Sequence, residues 1–310
     1  MKVVFMGTPD FAIPSLERLV NSKCEVVGVV TGPDKPKGRG LVLSESSVKR
    51  FSKEHNLKIL TPQNLKSDGF FHSLKELYPD LSVVVAFRIL PERILSLPRL
   101  GTVNLHASLL PKYRGAAPIN WALINGETKT GLTTFYIQKK VDTGDLLLQK
   151  EVDILPEENF GELHDRMASL GADLLLETVD LIEKGEAKPI KQDHTSATPA
   201  PKITREHCRI DWSNEAIPIK NQIRGLSPVP AAFTFYRGKI LKIRKAEVVG
   251  ETPFSDGFGE VVSADGKEKI WVKTKKGILN ILELQPEGKR EMSAEEFVRG
   301  YRISVGEKLG

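Results

Sequence analysis

Short apolar runs at 2–5, 25–30, 81–86 and 102–106 alternate in the first half of the chain with stretches whose apolar residues recur every three or four positions, at 11–21, 68–77 and 117–125. Runs of four to six apolar residues read as strands buried on both faces, and the 3.6-residue spacing reads as amphipathic helix. Strands alternating with helix-length segments predict an α/β domain with a doubly wound, mainly parallel sheet. Further strands are expected at 132–136 and 146–152, followed by a long helix over 160–184 that closes the domain. Residues 186–204 lose apolar periodicity and carry Pro189, Pro199 and Pro201, which is linker composition. Beyond them, a helical pattern at 216–224 precedes β-rich runs at 231–235, 239–249, 259–262, 270–273 and 278–284. Five short strands of this kind predict a small, OB-like β-barrel. The expected division is 1–185, a linker at 186–204, and 205–310.

A length of 310 residues is enough for two cores, and the hydrophobic and charged fractions of 40% and 27% are those of a globular chain. No apolar run approaches the roughly 20 residues needed to span a bilayer. The opening MKVVFMGTPDF passes from a short apolar run straight into turn residues, so it reads as a first strand rather than a signal segment. The only two cysteines, Cys24 and Cys208, fit neither a disulfide framework nor a zinc site, and no metal is implied. A reducing cytoplasm and a monomer are expected.

Net charge is +5, unevenly placed: residues 204–310 carry 19 Lys and Arg against 15 Asp and Glu. The stretch YRGKILKIRK from Tyr236 holds five cations and no acid, and KEKIWVKTKK follows from Lys267. In a β domain such alternation can align Lys239, Lys242 and their neighbours on one strand face, where they would meet phosphates. A Pro- and Gly-rich stretch over 31–50 carries Lys35, Lys37, Arg39, Lys49 and Arg50; a basic loop of that length reads as a lid or a binding loop for a polyanion, or as a solvated loop with incidental charge.

Chemistry concentrates in VNLHASLLPKYRGAAP, 103–118. Asn104 and His106 stand two apart at a strand end, so they project from one face, and ligands of open α/β sheets sit beyond the carboxyl ends of strands. An Asn amide can donate to a developing oxyanion, and His can donate when charged or shuttle a proton when neutral; acyl transfer needs both functions. The bland alternative is a strand end with two satisfied polar groups. Val141-Asp142-Thr143-Gly144-Asp145 is a turn from which Asp142 could return to His106, hold the ring and favour the imidazolium; D-T-G is also simply a good turn. Thr8 and Pro9 replace the later glycines of a dinucleotide fingerprint after strand one, and neither G-x-x-x-x-G-K-[ST] nor G-x-S-x-G occurs. Direct group transfer remains.

Taken together, GTPDFA at 7–12, GRG at 38–40, NLHASLLPKYRGAAPI at 104–119 and VDTGD at 141–145 resemble the methionyl-tRNA formyltransferase family, as do DWSN at 211–214 and IRGLSPVPAAFT at 223–234. The resemblance runs almost end to end and implies a Rossmann-like formyltransferase domain followed by a tRNA-binding barrel. It implies transfer of the formyl group of 10-formyltetrahydrofolate to the amino group of methionyl initiator tRNA. Asn104, His106 and Asp142 would then be the catalytic set, Ser108, Leu109, Leu110 and Pro111 part of the folate site, and Arg39 the principal loop arginine on tRNA. Two departures stand out. Ala86-Phe87-Arg88 runs directly into Ile89-Leu90-Pro91 where the family has Ala-Tyr-Gly and one more residue, and Glu45-Ser46-Ser47 replaces a Pro-x-Pro segment before Val48-Lys49. The rival readings are a formyltransferase for a small amine such as an amino-sugar nucleotide, and a non-catalytic RNA-binding protein on the same fold.

Overall fold

A computed structural model describes residues 1–37, 42–264 and 269–310. Arg39 and Lys267 lie outside them. The chain forms two compact units, one built from Met1–Gly115, Thr130–Asp153 and His164–Ala200, the other from Ala116–Lys129, Ile154–Leu163 and Pro201–Gly310.

The first unit holds a seven-stranded sheet of β1 (Lys2–Gly7), β2 (Glu25–Val30), β3 (Ile59–Leu60), β4 (Leu81–Val85), β5 (Thr102–His106), β6 (Lys129–Tyr136) and β7 (Leu146–Asp153), in the spatial order β7-β6-β5-β4-β1-β2-β3. Strands β1 to β5 pair in parallel, and β6 joins β5 antiparallel. The order reverses between β1 and β4, so the doubly wound topology is present and its crevice lies at their carboxyl ends, beside the end of β5. The continuous runs follow from burial on both faces: every residue of β4 is buried, as are Val3 to Met6 of β1. Phe70, Leu74 and Ile94 pack with Val4, Met6, Val30 and Val84. The first helix is Ile13–Val20, entered by a single 3-10 turn at Asp10–Ala12. It starts later than expected because Pro14, which lacks an N–H, fits only its first turn. The long helix is Phe160–Lys184, with the expected limits.

Two segments differ from expectation. Residues 31–50 are not one loop: Lys35–Lys37 and Val42–Ser44 pair antiparallel, and a helix runs over Ser47–Glu54. Its N-cap is Ser46, one of the residues standing in for the family's prolines, whose Oγ accepts the Lys49 N–H at 3.1 Å. Lys49 is consequently not a free loop cation. Its ammonium donates to Asp34 at 2.8 Å and pairs with Glu45 at 3.1 Å, and these carboxylates, Asp34 foremost, push its pKa up. Residues 186–200, expected as linker, instead lie along the first unit: Ile190 bridges Leu146, and Pro199–Ala200 pairs in parallel with Arg114–Gly115. Their polar side chains find backbone partners, which composition does not register.

In the second unit Ala232–Tyr236, Lys239–Pro253, Val261–Ala264, Ile270–Lys273, Lys276–Pro286 and Met292–Ser293 form a six-stranded sheet in which every strand pair described is antiparallel. The helices Pro118–Ile124 and Ala216–Leu226 pack together here, and the Asn120 amide donates to the Gly225 carbonyl at 2.8 Å. Residues 116–129 and 154–163 therefore cluster with the C-terminal unit, a division different from 1–185 and 205–310. The reason is that these segments find their packing partners far along the chain. The core includes Trp212, Ile219, Ile223, Leu241, Ile243, Leu279, Ile281 and Phe297.

Candidate functional site

Asn104 and His106 sit at the carboxyl end of β5, two residues apart on one face, with His106 opposite Thr133 of β6. His106 is 6% exposed. Its Nε2 lies 2.9 Å from the Tyr113 carbonyl oxygen. A carbonyl only accepts, so Nε2 carries the hydrogen and Nδ1 is the nitrogen left for chemistry. Nδ1 faces Asp142 Oδ2 at 3.8 Å, longer than a hydrogen bond but inside ion-pair range. Asp142 is held independently: its Oδ2 accepts the Gly115 N–H at 2.9 Å, and its backbone takes the left-handed conformation, φ 52°, which Asp tolerates. The Asn104 amide is partly exposed and, among the described residues, has no hydrogen-bond partner. The three residues singled out from sequence are thus on one sheet edge, His106 and Asp142 facing each other and Asn104 open for a ligand.

The loop after β5 is fixed from several sides. Thr133 Oγ1 donates to the Ser108 carbonyl at 2.6 Å and accepts the Leu110 N–H at 3.1 Å, and the Gln149 amide donates to the Leu110 carbonyl at 2.8 Å. Ser108 is fully buried, with its hydroxyl donating to the Lys112 carbonyl at 2.6 Å, and Leu110 is 2% exposed. Leu109 packs so closely on β6 that a Cβ at Gly131 would fall 2.4 Å from it. These three residues shape the loop; Pro111 and part of Leu109 keep an exposed surface. At the crevice, Ala86 adopts φ 49°, and the Arg88 guanidinium donates to the Pro62 carbonyl at 2.7 Å and the Gln63 carbonyl at 3.1 Å. Burial pushes that guanidinium's pKa down. Ile89 is left 76% exposed.

Sequence reasoning missed a second set of residues. Thr198 Oγ1 accepts the Tyr113 N–H at 2.8 Å, and Gln192 Nε2 donates to the carbonyls of Asp142 at 3.1 Å and Gly144 at 2.7 Å. Arg114 Nη2 donates to Gln192 Oε1 and lies 2.9 Å from His194 Nδ1. Side-chain amides and hydroxyls that bond backbone carry no periodicity, so nothing local announced them. Among the described residues no group of three or more His, Cys, Asp or Glu is gathered to hold a metal.

A family model described as formyl transferase matches residues 1–179, and one described as formyl transferase, C-terminal domain, matches 202–302. The chain is 47% identical, over the full length of both, to the methionyl-tRNA formyltransferase of Alkaliphilus oremlandii, and 48% identical to that of Caldanaerobacter subterraneus, over 99% of each. The chain belongs to the methionyl-tRNA formyltransferase family. The fold is shared by members and by more distant formyltransferases. A methionyl-tRNA formyltransferase from Clostridium thermocellum superposes with a TM-score of 0.56 at 18% identity, covering 80% of this chain and 94% of that one. The sugar 3N-formyl transferase WlaRD gives 0.66 at 19% identity, covering 94% and 99%.

In this member of the methionyl-tRNA formyltransferase family the expected tRNA contacts divide. Lys35 is exposed on the strand Lys35–Lys37, and Lys37 is the last residue of that strand. In the C-terminal sheet, Lys239 pairs with Tyr236 and Lys242 with Phe233 without a bulge between them. An odd spacing in a strand puts the two lysines on opposite faces, which corrects the single charged face expected from the sequence. Lys242 shares its face with Phe233 and Phe235, over whose rings the guanidinium carbons of Arg205 and Arg209 lie at 5.7 and 5.5 Å. Other cations of the basic runs are already engaged: Arg244 donates to Pro228 and Gln285, and Lys273 pairs with Glu260 at 3.3 Å.

Proposed function

We propose that the enzyme transfers the formyl group of 10-formyltetrahydrofolate to the α-amino group of methionyl initiator tRNA, in the cytoplasm and as a monomer. Its standing among full-length relatives carrying that name supports the substrate pair, and the open Asn104 amide beside His106 supports the chemistry. No helix among the described residues is long and apolar enough to cross a membrane.

The neutral amine attacks the formyl carbon, forming the new C–N bond and a tetrahedral oxyanion. An α-amine with a pKa of roughly 7.7 to 8.0 is about one-tenth neutral at pH 7, so its deprotonation costs little. Charge on the former carbonyl oxygen is the larger problem. Asn104 Nδ2 has free hydrogens to donate, and because Nε2–H of His106 is given to Tyr113, its donor toward the oxyanion is Nδ1–H of the imidazolium, balanced by Asp142. On collapse the bond from the formyl carbon to folate N10 breaks and N10 takes a proton, while the amine proton leaves through water toward Asp142. Leu109 and Pro111 offer apolar surface to the folate beside this point, and the buried Ser108 and Leu110 hold the loop in place.

The deciding experiment offers labelled 10-formyltetrahydrofolate with methionyl initiator tRNA, free methionine and an amino-sugar nucleotide in parallel. Label on the tRNA alone is the expected result; label on the sugar would keep the chemistry and overturn the substrate. For tRNA, Arg39 with Lys35 and Lys37 would engage the acceptor end, and the face formed by Lys242, Arg205, Arg209 and the two phenylalanines the body. Arg39→Ala should raise KM for the tRNA substrate. Lys242→Ala should weaken binding and make the slope of log Kd against log salt shallower by about one, whereas Lys239→Ala, on the other face, should change it less. An unchanged slope in Lys242→Ala would remove that face from the tRNA site.

A further inference from the structure

The segment 190–200 touches the catalytic residues through the backbones that carry them. Ile190 exchanges both backbone hydrogen bonds with Leu146, at 2.7 and 2.8 Å, just beyond the Asp142 turn. Thr198 accepts the N–H of Tyr113, the residue whose carbonyl fixes the His106 ring, and its own carbonyl accepts the Arg114 N–H at 2.8 Å. Between these points Gln192, 7% exposed, uses both ends of its amide: Nε2 donates to the carbonyls of Asp142 and Gly144, and Oε1 accepts from Arg114. Two carbonyls need a donor and a guanidinium needs an acceptor. A primary amide offers two N–H donors and an acceptor oxygen in one group; a carboxylate would point an acceptor at two acceptors, and an ammonium a donor at a guanidinium.

We propose that Gln192 is a positioning residue for the transfer reaction, fixing the turn that carries Asp142 and thereby its separation from His106 Nδ1, with Arg114 holding the amide in the required orientation. The inference rests on the role given to Asp142 above. The 3.8 Å between Asp142 Oδ2 and His106 Nδ1 is not closed by a hydrogen bond of its own, so it is set by the Gly115 N–H on Oδ2 together with the backbone of the turn that carries Asp142. Gln192 touches neither substrate in this scheme and acts only through the placement of Asp142.

The test is a double-mutant cycle in single-turnover formyl transfer, with methionyl initiator tRNA and 10-formyltetrahydrofolate and rates taken per folded enzyme. Gln192→Ala should lower the rate by roughly 10- to 100-fold, the order expected for an ångström of misplacement, with KM for both substrates little changed. Gln192→Glu keeps the size and the pairing with Arg114 but loses both donations to the turn, and should fall at least as far. In an Asp142→Ala background neither substitution should cost more, because the group they misplace is already gone. A general loss of structure would multiply with the Asp142 effect. Multiplicative losses, or a fully active Gln192→Glu enzyme, would overturn the proposal. A fully active Asp142→Ala enzyme would be a different failure, of the catalytic assignment beneath it.

Discussion

Replacing His106 with alanine is expected to lower kcat for formyl transfer by on the order of a hundred- to a thousandfold while leaving the Kd for tRNA nearly unchanged, and Asn104→Ala should do the same. The expectation follows from where the two donors stand. Asn104 has an amide that no described residue uses, and His106 is locked by Tyr113 so that only Nδ1 can meet the substrate. In the proposed reaction both would act on charge that exists in the tetrahedral state and scarcely in the bound formyl group, so their loss is expected in kcat rather than in binding. Neither touches the basic surfaces assigned to tRNA. The measurement is pre-steady-state transfer at saturating folate beside equilibrium tRNA binding; a variant whose kcat stays within about twofold of the parent would take that residue out of the oxyanion site.

The second large effect should come from Gly144→Ala. A Cβ on Gly144 would stand 1.6 Å from the Tyr136 carbonyl oxygen, and that oxygen belongs to the backbone of β6, which cannot swing aside as a side chain would. The next residue accepts into the same strand end, the Tyr136 N–H donating to the Asp145 carbonyl at 3.0 Å, and Gly144 itself accepts from Gln192. The turn carrying Asp142 must therefore shift. Overpacking of this kind costs about 1–3 kcal/mol or more in stability, and displacement of Asp142 should cost kcat roughly a hundredfold besides. Thermal unfolding and kcat measured on the same preparation check both parts. A lower Tm with unchanged kcat would mean that the position of the turn does not matter to the reaction.

Asp142 shows how far local sequence carries. A turn of the form D-T-G before a strand was readable, and so was a carboxylate that could return toward His106. That it does so at 3.8 Å, with its backbone at φ 52° and its oxygen on the Gly115 amide, depends on residues 27 positions away. Lys49 shows the opposite outcome: read as one of several cations of a basic loop, it is tied to Asp34 and Glu45, the residues flanking the antiparallel pair Lys35–Lys37 and Val42–Ser44.

The sequence by itself determined the parallel sheet, because buried strands must be apolar on both faces, and it determined that Asn104 and His106 share a face, because strand side chains alternate. The one charged face expected of Lys239 and Lys242 did not hold, because the register without a bulge between them puts an odd spacing on opposite faces. Only the tertiary structure decided that residues 190–200 clasp the site instead of linking two domains, and that 116–129 and 154–163 pack with the C-terminal unit. The difference is physical. Periodicity records how a residue sits on its own element, whereas a Gln amide reaching two backbone carbonyls, or a helix meeting a partner a hundred residues away, is fixed by the closure of distant chain, and neither leaves a pattern in the neighbouring letters.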